Sequence, residues 1–377
     1  MIDLKKKLIY FSHGLSANGI ETFLVNVLGR LNLEKYDVTV LIAIDEGVPS
    51  LHEDKVRSLG IRIINAGDMD SVKKKFEYIK NVKKELYSEN YDIVHSNMDL
   101  LNGITLFFAK RAGIKKRICH AHNSRSQYKP QGFFGRLKQL VQKAYCGLMK
   151  KSILMNSTDL VSCSELAGEY FYGERNSTLI YNGIELEKFK PADGFDRDEY
   201  LKSLGADPEK KTVVSVGRLS MQKNPSFALD AINELKKIRS DFQYIWVGTG
   251  ELEADVKQQA EKLGLNDGTV IFTGVRTDVP EILNCSDCFF MPSHFEGLPF
   301  SLVEAQAADL RCVVSDVVSK TADAGLIEYF SLGDGAEKCA GTLSAVLDMP
   351  KAKADGERMN LFDIGYTVRQ LEEIYDK

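Results

Sequence analysis

The feature that most constrains this chain is an alternation of strands and helices that runs its course once, stops, and starts again. Short β-branched and apolar runs lie at 8–12, 36–44, 61–64, 91–95, 117–120, 159–163 and 178–181, with helical periodicity between them at 21–31, 72–87 and 133–151. A turn-rich stretch from Asn182 to Pro191 and a polar segment at 192–198 interrupt the pattern. It then resumes with strands at 212–216, 242–247, 269–272 and 288–291 and helices at 225–239, 251–263 and 298–308. Strands separated by helices pair in parallel, with the helices as crossovers. The expected fold class is α/β: two Rossmann-like doubly wound domains facing across a cleft. The first covers 1–185 and the second 186–362, and a C-terminal helix at about 363–377 packs back on the first. Ligands of such sheets sit at the carboxyl ends of the strands, so the chemistry belongs in the loops that follow them.

Composition removes several alternatives. No apolar run approaches the ~20 residues of a membrane-spanning helix, and the apolar part of the N-terminus, Leu8 to Phe11, is too short for a signal-peptide core. The net charge of −4 argues against a dedicated nucleic-acid binder. Seven scattered cysteines, an odd number, read as free thiols in a reducing cytoplasm. Cys285 and Cys288 have metal or redox spacing but stand alone, which favours a structural role where a helix meets a strand.

The second half carries the strongest constellation. Val213 to Val216 leads into Gly217 and Arg218, then Lys223 and a helix start at Asn224-Pro225. Two cations in the loop before a helix N-terminus suit a diphosphate. Glu296 and Gly297-Leu298 follow the strand at 288–291, and Glu304 lies about two turns into the next helix. Carboxylates accept paired hydrogen bonds from vicinal hydroxyls, so Glu296 suits a sugar and Glu304 a ribose. Backbone N–H groups near Gly297 would face phosphate.

The G-R-L-x-x-x-K-N-P element from Gly217, the Gly248-Thr-Gly250-Glu-Leu turn and the E-G-L-P-x-x-L-V-E-A block from Glu296 together resemble family-4 retaining glycosyltransferases, which have the GT-B fold. Glu296 and Glu304 match that family's E-x7-E pair, and the loop around Arg276 looks like the one that holds the donor's base. In the first half, Asn18-Gly19 matches the first-strand loop, with Asn18 where the family usually has a glycine. Asn tolerates positive φ, so the turn survives. His120-Ala-His122-Asn123 and Asp92 to Ser96 are similar to segments of enzymes that build bacterial capsular and extracellular polysaccharides. His122 matches the family's active-site histidine. A zinc site from Cys119, His120 and His122 is poor, because adjacent strand residues point to opposite faces.

Two D-x-D spacings, Asp68-Met-Asp70 and Asp196-Arg-Asp198, could suggest a metal-dependent transferase. Both precede helices, where acids cap N–H groups. Between Asp99 and Asp159 there is no acidic residue, but there are twelve cations, with Tyr128, Phe133, Phe134 and Tyr145 interleaved. Such a segment can lie on an anionic membrane.

The resemblance implies a metal-independent transferase without cofactor, probing the inner face of the plasma membrane from the cytoplasm. It would move sugar from a nucleoside-diphosphate donor, most simply UDP-linked, to a polyprenyl-diphosphate-linked or saccharide acceptor. His122, Arg218, Lys223 and Glu296 would serve the reaction. Asn18, Gly19, Gly217, Gly248, Gly250, Arg276, Gly297, Leu298 and Glu304 would hold the donor. A nucleotide-sugar epimerase of the same fold and a silent nucleotide- or lipid-binding subunit are the rivals.

Overall fold

The structure is a computed structural model that describes residues 5–16, 19–44, 50–122, 132–296 and 298–377, with no side chains described at 132–139. Asn18, Asn123, Tyr128 and Gly297 lie outside the described residues, as do the side chains of Phe133, Phe134, Arg136 and Lys138. The chain divides into two compact units. Unit 1 is residues 1–183 together with 364–377, and unit 2 is residues 184–363.

The described part of unit 1 contains a seven-stranded parallel sheet: β1 (Lys6–Ser12), β2 (Tyr36–Ile42), β3 (Arg62–Asn65), β4 (Ile93–Ser96), β5 (Lys116–Ala121), β6 (Asp159–Ser162) and β7 (Thr178–Leu179). Their order is β3-β2-β1-β4-β5-β6-β7, with the switch point between β1 and β4. A parallel sheet is covered on both faces, which is why Leu8 to Phe11 form an unbroken buried run rather than an alternating one. One face is apolar: Ile9, Phe11, Val94, Cys119 and Ala121 pack with Tyr78, Leu86, Leu106, Ile153 and Phe171 from the crossover helices. The other face is polar at its centre. Tyr10 on β1 pairs with His95 on β4, which pairs with Ile118 on β5, and His120 follows two residues on. Helices Gly19–Leu28 and Ile364–Asp376 supply Phe23 and Tyr375 against these rings.

Unit 2 holds a six-stranded parallel sheet: β8 (Lys211–Val216), β9 (Phe242–Val247), β10 (Val270–Gly274), β11 (Cys288–Met291), β12 (Cys312–Ser315) and β13 (Ile327–Phe330), ordered β10-β9-β8-β11-β12-β13. Every residue of β9, β11 and β12 is buried. Tyr244, Trp246, Phe290, Val313 and Phe330 form its core with Ile232, Leu235, Leu343 and Leu347 from two helices.

Local chemistry sets the helix starts. Ser71 accepts from the Lys74 N–H and Ser164 from that of Ala167. Asp196 accepts from the N–H groups of Asp198 and Glu199, each at 3.0 Å, and so caps helix Arg197–Ser203. Asp68 accepts from the Asp70 N–H and pairs with Lys74. The first aspartate of each D-x-D spacing is thereby occupied in a turn or cap. Asn224 is at the start of helix Pro225–Ile238 but makes no cap. It lies in the left-handed region at φ 54° and donates instead to the Pro292 carbonyl at 3.1 Å. Cys285 ends a helix and Cys288 opens β11, both buried, and burial pushes the Cys285 thiol up to about 12.

Candidate active site

The loops at the carboxyl ends of β8, β9 and β11 interlock. A Cβ on Gly248 would stand 2.2 Å from the Gly217 carbonyl oxygen, so only glycine lets the β8 and β9 loops cross backbone to backbone. The Trp246 Nε1–H donates to that same oxygen at 2.9 Å. The stem of Lys223 lies over Gly217, where an added Cβ would come within 3.0 Å of its Cε. These contacts hold the Lys223 ammonium in one place.

That ammonium pairs with Glu296 at 2.7 Å, and the two side chains are 19% and 6% exposed. Gln222, which motif reading passed over, donates to the other carboxylate oxygen at 3.2 Å and to the Phe295 carbonyl at 3.2 Å. The His294 N–H returns a bond to the Gln222 carbonyl at 2.8 Å, which ties the β8 loop to the β11 loop. Ser293, fully buried after β11, has an Oγ with no hydrogen-bond partner among the described residues. Glu304 sits in helix Phe300–Ala307. Burial pushes its carboxyl up to about 7, against the opposing charge of Lys223. One cation therefore acts on both glutamates of the pair.

The remaining donor-side residues are arranged differently. Arg218 is 72% exposed and pairs with Glu251 at 3.0 Å. Arg276, after β10, is held by both oxygens of Asp278, which also accepts from the Tyr200 hydroxyl at 2.7 Å. Its charge is already balanced, so it suits hydrogen bonding better than charge neutralisation. Gly250 lies against the Leu219 backbone and Leu298 is buried. A cavity of about 580 Å³ opens at the other end of this sheet, beside Lys211, Asp287 and Arg311 where β8, β11 and β12 begin. Ligands of parallel sheets take the carboxyl end, which leaves this cavity outside the site.

In unit 1 His122 follows β5 and is buried. Its Nε2 meets the Asn97 Oδ1 at 2.9 Å, and its ring stacks on His120 with centroids 4.1 Å apart. Phe23 lies 5.3 Å away. Burial lowers the imidazole to about 4, partly offset by Asp99 and the Asn182 side chain, so His122 is neutral at pH 7. With Asn97 accepting, the proton is on Nε2 and Nδ1 offers a lone pair. Gly19 opens helix Gly19–Leu28, and Glu21 in its first turn accepts from the Ser16 N–H at 2.6 Å and from the Ser16 hydroxyl. Glu21 and Asn182 lie within the family-like segments without a role assigned to them, and Asn97 lies in none, so contacts in the fold single them out.

The chain is similar to known glycosyltransferases along most of its length. The family model described as Glycosyltransferase Family 4 matches residues 17–188, and Glycosyl transferases group 1 matches residues 196–324. The EpsF protein of Bacillus subtilis is 28% identical over 374 residues, 97% of this chain and 94% of that protein. The UDP-Gal:alpha-D-GlcNAc-diphosphoundecaprenol alpha-1,3-galactosyltransferase of Escherichia coli is 24% identical over 369 residues, 95% of this chain and 93% of that enzyme. Among solved structures, Anabaena HepE in complex with UDP superposes with a TM-score of 0.77, covering 98% of this chain and 99% of that one at 16% identity. That likeness is one of fold.

Proposed function

We propose, on the premise that this chain belongs to the family-4 glycosyltransferases with the GT-B fold, that it moves a sugar from a UDP-linked donor to a lipid-linked or saccharide acceptor. The product would be a bacterial capsular or extracellular polysaccharide. The observation that carries this reading is the buried Lys223–Glu296 pair beside Glu304. A lysine held near two carboxylates can share its three N–H donors with an incoming diphosphate, and Glu296 is then free to accept from sugar hydroxyls. Arg218, paired only at the surface, can turn to the same diphosphate at little cost. These cations would meet the charge that develops on the leaving group, the task a metal performs in other transferases. Glu304 would hold the ribose and neutral His122 would contact the sugar. Retention at the anomeric carbon rests on the family resemblance.

The test is UDP release from a panel of UDP-sugars, with and without a polyprenyl-diphosphate-linked sugar, in the presence of EDTA. Release that needs acceptor and survives chelation is the expected result. Loss of activity in EDTA with recovery on manganese or magnesium would overturn the metal-free reading. Donor conversion without acceptor would indicate the epimerase, and binding without turnover the silent subunit.

The acceptor side of the proposal includes peripheral contact with an anionic membrane. No helix among the described residues is long and apolar enough to cross one. Helix Gly132–Asn156 exposes Leu140, Val141, Leu148 and Met155, each more than 60% accessible and spaced to share one stripe, with Lys143 and Lys151 exposed on the same helix. An apolar stripe beside cations is the pattern of a helix that lies in a membrane surface. Lys143→Gln with Lys151→Gln is expected to cost about 2 kcal/mol, roughly thirtyfold in binding, at low salt. Cosedimentation with phosphatidylserine vesicles and with neutral vesicles measures it. Leu148→Gln should remove whatever binding resists salt. Equal binding to both vesicle types would end this part of the proposal.

A further inference from the structure

The polar face of the first sheet holds a row of buried rings of which the proposed reaction uses only the last, His122. Tyr10 and Tyr375 share a short hydroxyl–hydroxyl bond, and the Tyr375 hydroxyl meets His95 Nδ1 at 2.6 Å. His95 Nε2 meets His120 Nδ1 at 3.1 Å, and His120 carries the stacked ring of His122. All five side chains are buried, His95 and His120 completely. Residue 375 comes from the far end of the sequence, on the C-terminal helix, so the row is assembled only when that helix docks.

We propose that this chain of hydrogen bonds is polarised in one direction, so that Tyr375 is a positioning residue that fixes the tautomer of His95, then of His120, the ring on which His122 lies. Two directions are possible in principle. If His120 donates toward Tyr10, the Tyr10 hydroxyl proton is left buried without an acceptor, and His120 Nε2 is left as an unused lone pair. If Tyr10 donates to Tyr375, Tyr375 to His95 Nδ1 and His95 Nε2–H to His120 Nδ1, every imidazole lone pair along the row is filled and only the Tyr10 oxygen, a weaker acceptor than an imidazole nitrogen, accepts nothing. The one unspent donor is then the His120 Nε2–H, an atom that has no hydrogen-bond partner among the described residues. An unpaired buried donor or acceptor costs more than a formed bond returns, so the second direction prevails. Burial lowers His95 to about 3 and His120 well below its usual range, which leaves each ring neutral with one proton to place. Beyond His120, the stacked His122 and its partner Asn97 also carry buried atoms with no hydrogen-bond partner among the described residues, His122 Nδ1 and Asn97 Nδ2, as does Asn182 at Oδ1. Of these, the row sets His120 Nε2 alone, which Tyr375 makes a donor: Asn97 Nδ2 always donates, Asn182 Oδ1 always accepts, and the His122 tautomer follows from Asn97.

The test is long-range ¹H–¹⁵N correlation on the full chain labelled in histidine, which reads the tautomer of each ring. His95, His120 and His122 are all expected as Nε2–H. Tyr375→Phe keeps the packing and removes the donor to His95, so a second tautomer should appear at His95 and His120. Tyr10→Phe leaves that donor in place and should leave all three tautomers as in the wild type. The transferase readout rests on the function proposed above: kcat in Tyr375→Phe should fall about tenfold, as one hydrogen bond's alignment is lost, with KM for the donor unchanged. An Nδ1–H tautomer at His120 in the wild type overturns the proposal. So do unaltered tautomers in Tyr375→Phe, including the case where activity falls only with the folded fraction. Should the phenylalanine variant fail to fold, His95→Leu breaks the row one step later and must likewise release the His120 tautomer. A wild type without transferase activity would count against the proposed function and leave the tautomer result standing.

Discussion

Lys223→Ala is expected to lower kcat by two to three orders of magnitude, a loss of about 2.7–4 kcal/mol that matches removal of one preorganised donor elsewhere. The structure adds a second effect that the loop position alone conceals. Lys223 is the buried partner of Glu296, so alanine strands a carboxylate that is only 6% exposed. Breaking such a pair from one side destabilises by about 3–5 kcal/mol. The alanine variant should therefore melt several degrees lower as well as turn over slowly. Lys223→Met combined with Glu296→Gln separates the two effects, because it removes both charges. It should regain the melting temperature and remain inactive. Arg218→Ala gives the contrasting case: its surface pair with Glu251 is worth at most about 1 kcal/mol, so turnover should fall with no change in melting. Normal kcat in both single variants would remove the diphosphate assignment.

Glu304 should make donor binding depend on pH near neutrality. Its carboxyl ionises at about 7 in the folded protein because burial disfavours the charge, and the carboxylate is the form that accepts from both ribose hydroxyls. Affinity for a UDP-sugar should therefore rise with pH, by about tenfold from pH 6 to pH 8 if only the ionised form binds. Fold stability should move the opposite way. The folded state holds this proton up to a higher pH than the unfolded chain does, so the contribution is fully present below the unfolded value and is lost as pH rises through 7. Glu304→Gln should flatten both curves and raise KM for the donor. Titration calorimetry and thermal melts over this range decide it, and a pH-independent wild-type affinity would rule it out.

Much of the fold was legible because parallel strands buried on both faces are written as continuous apolar runs. Phe242–Val247 and Cys288–Met291 were placed to the residue, and the helix at Val72–Ser88 to within one. The strands Cys312–Ser315 and Ile327–Phe330 are not among those that the sequence pattern yields. Each has only four residues, and Glu328 is exposed on the outermost strand, which breaks the apolar run. In the site, Arg218, Lys223, Glu296 and Glu304 stood out because loop chemistry and fixed spacing coincide. The supporting residues did not. Gln222 bridges two loops more than seventy residues apart, and Tyr375 reaches His95 across 280 positions, so no local pattern marks either.

Unit 2 begins and ends at one point in space. Ile184 and Asp363 form a β-bridge, and the Ile184 N–H donates to the Phe362 carbonyl at 2.8 Å. On the other side of the junction, Gly183 lies so close to Ile364 that an added Cβ would stand 2.7 Å from its Cα. The second unit is thus an insertion in the first, with entry and exit side by side, as domain insertions usually have. A block with adjacent ends can be cut out and replaced in a single recombination event without disturbing the row of rings that the last helix completes. The sheet that carries Lys223, Glu296 and Glu304 can then be exchanged as a cassette, while the sheet that carries His122 is kept.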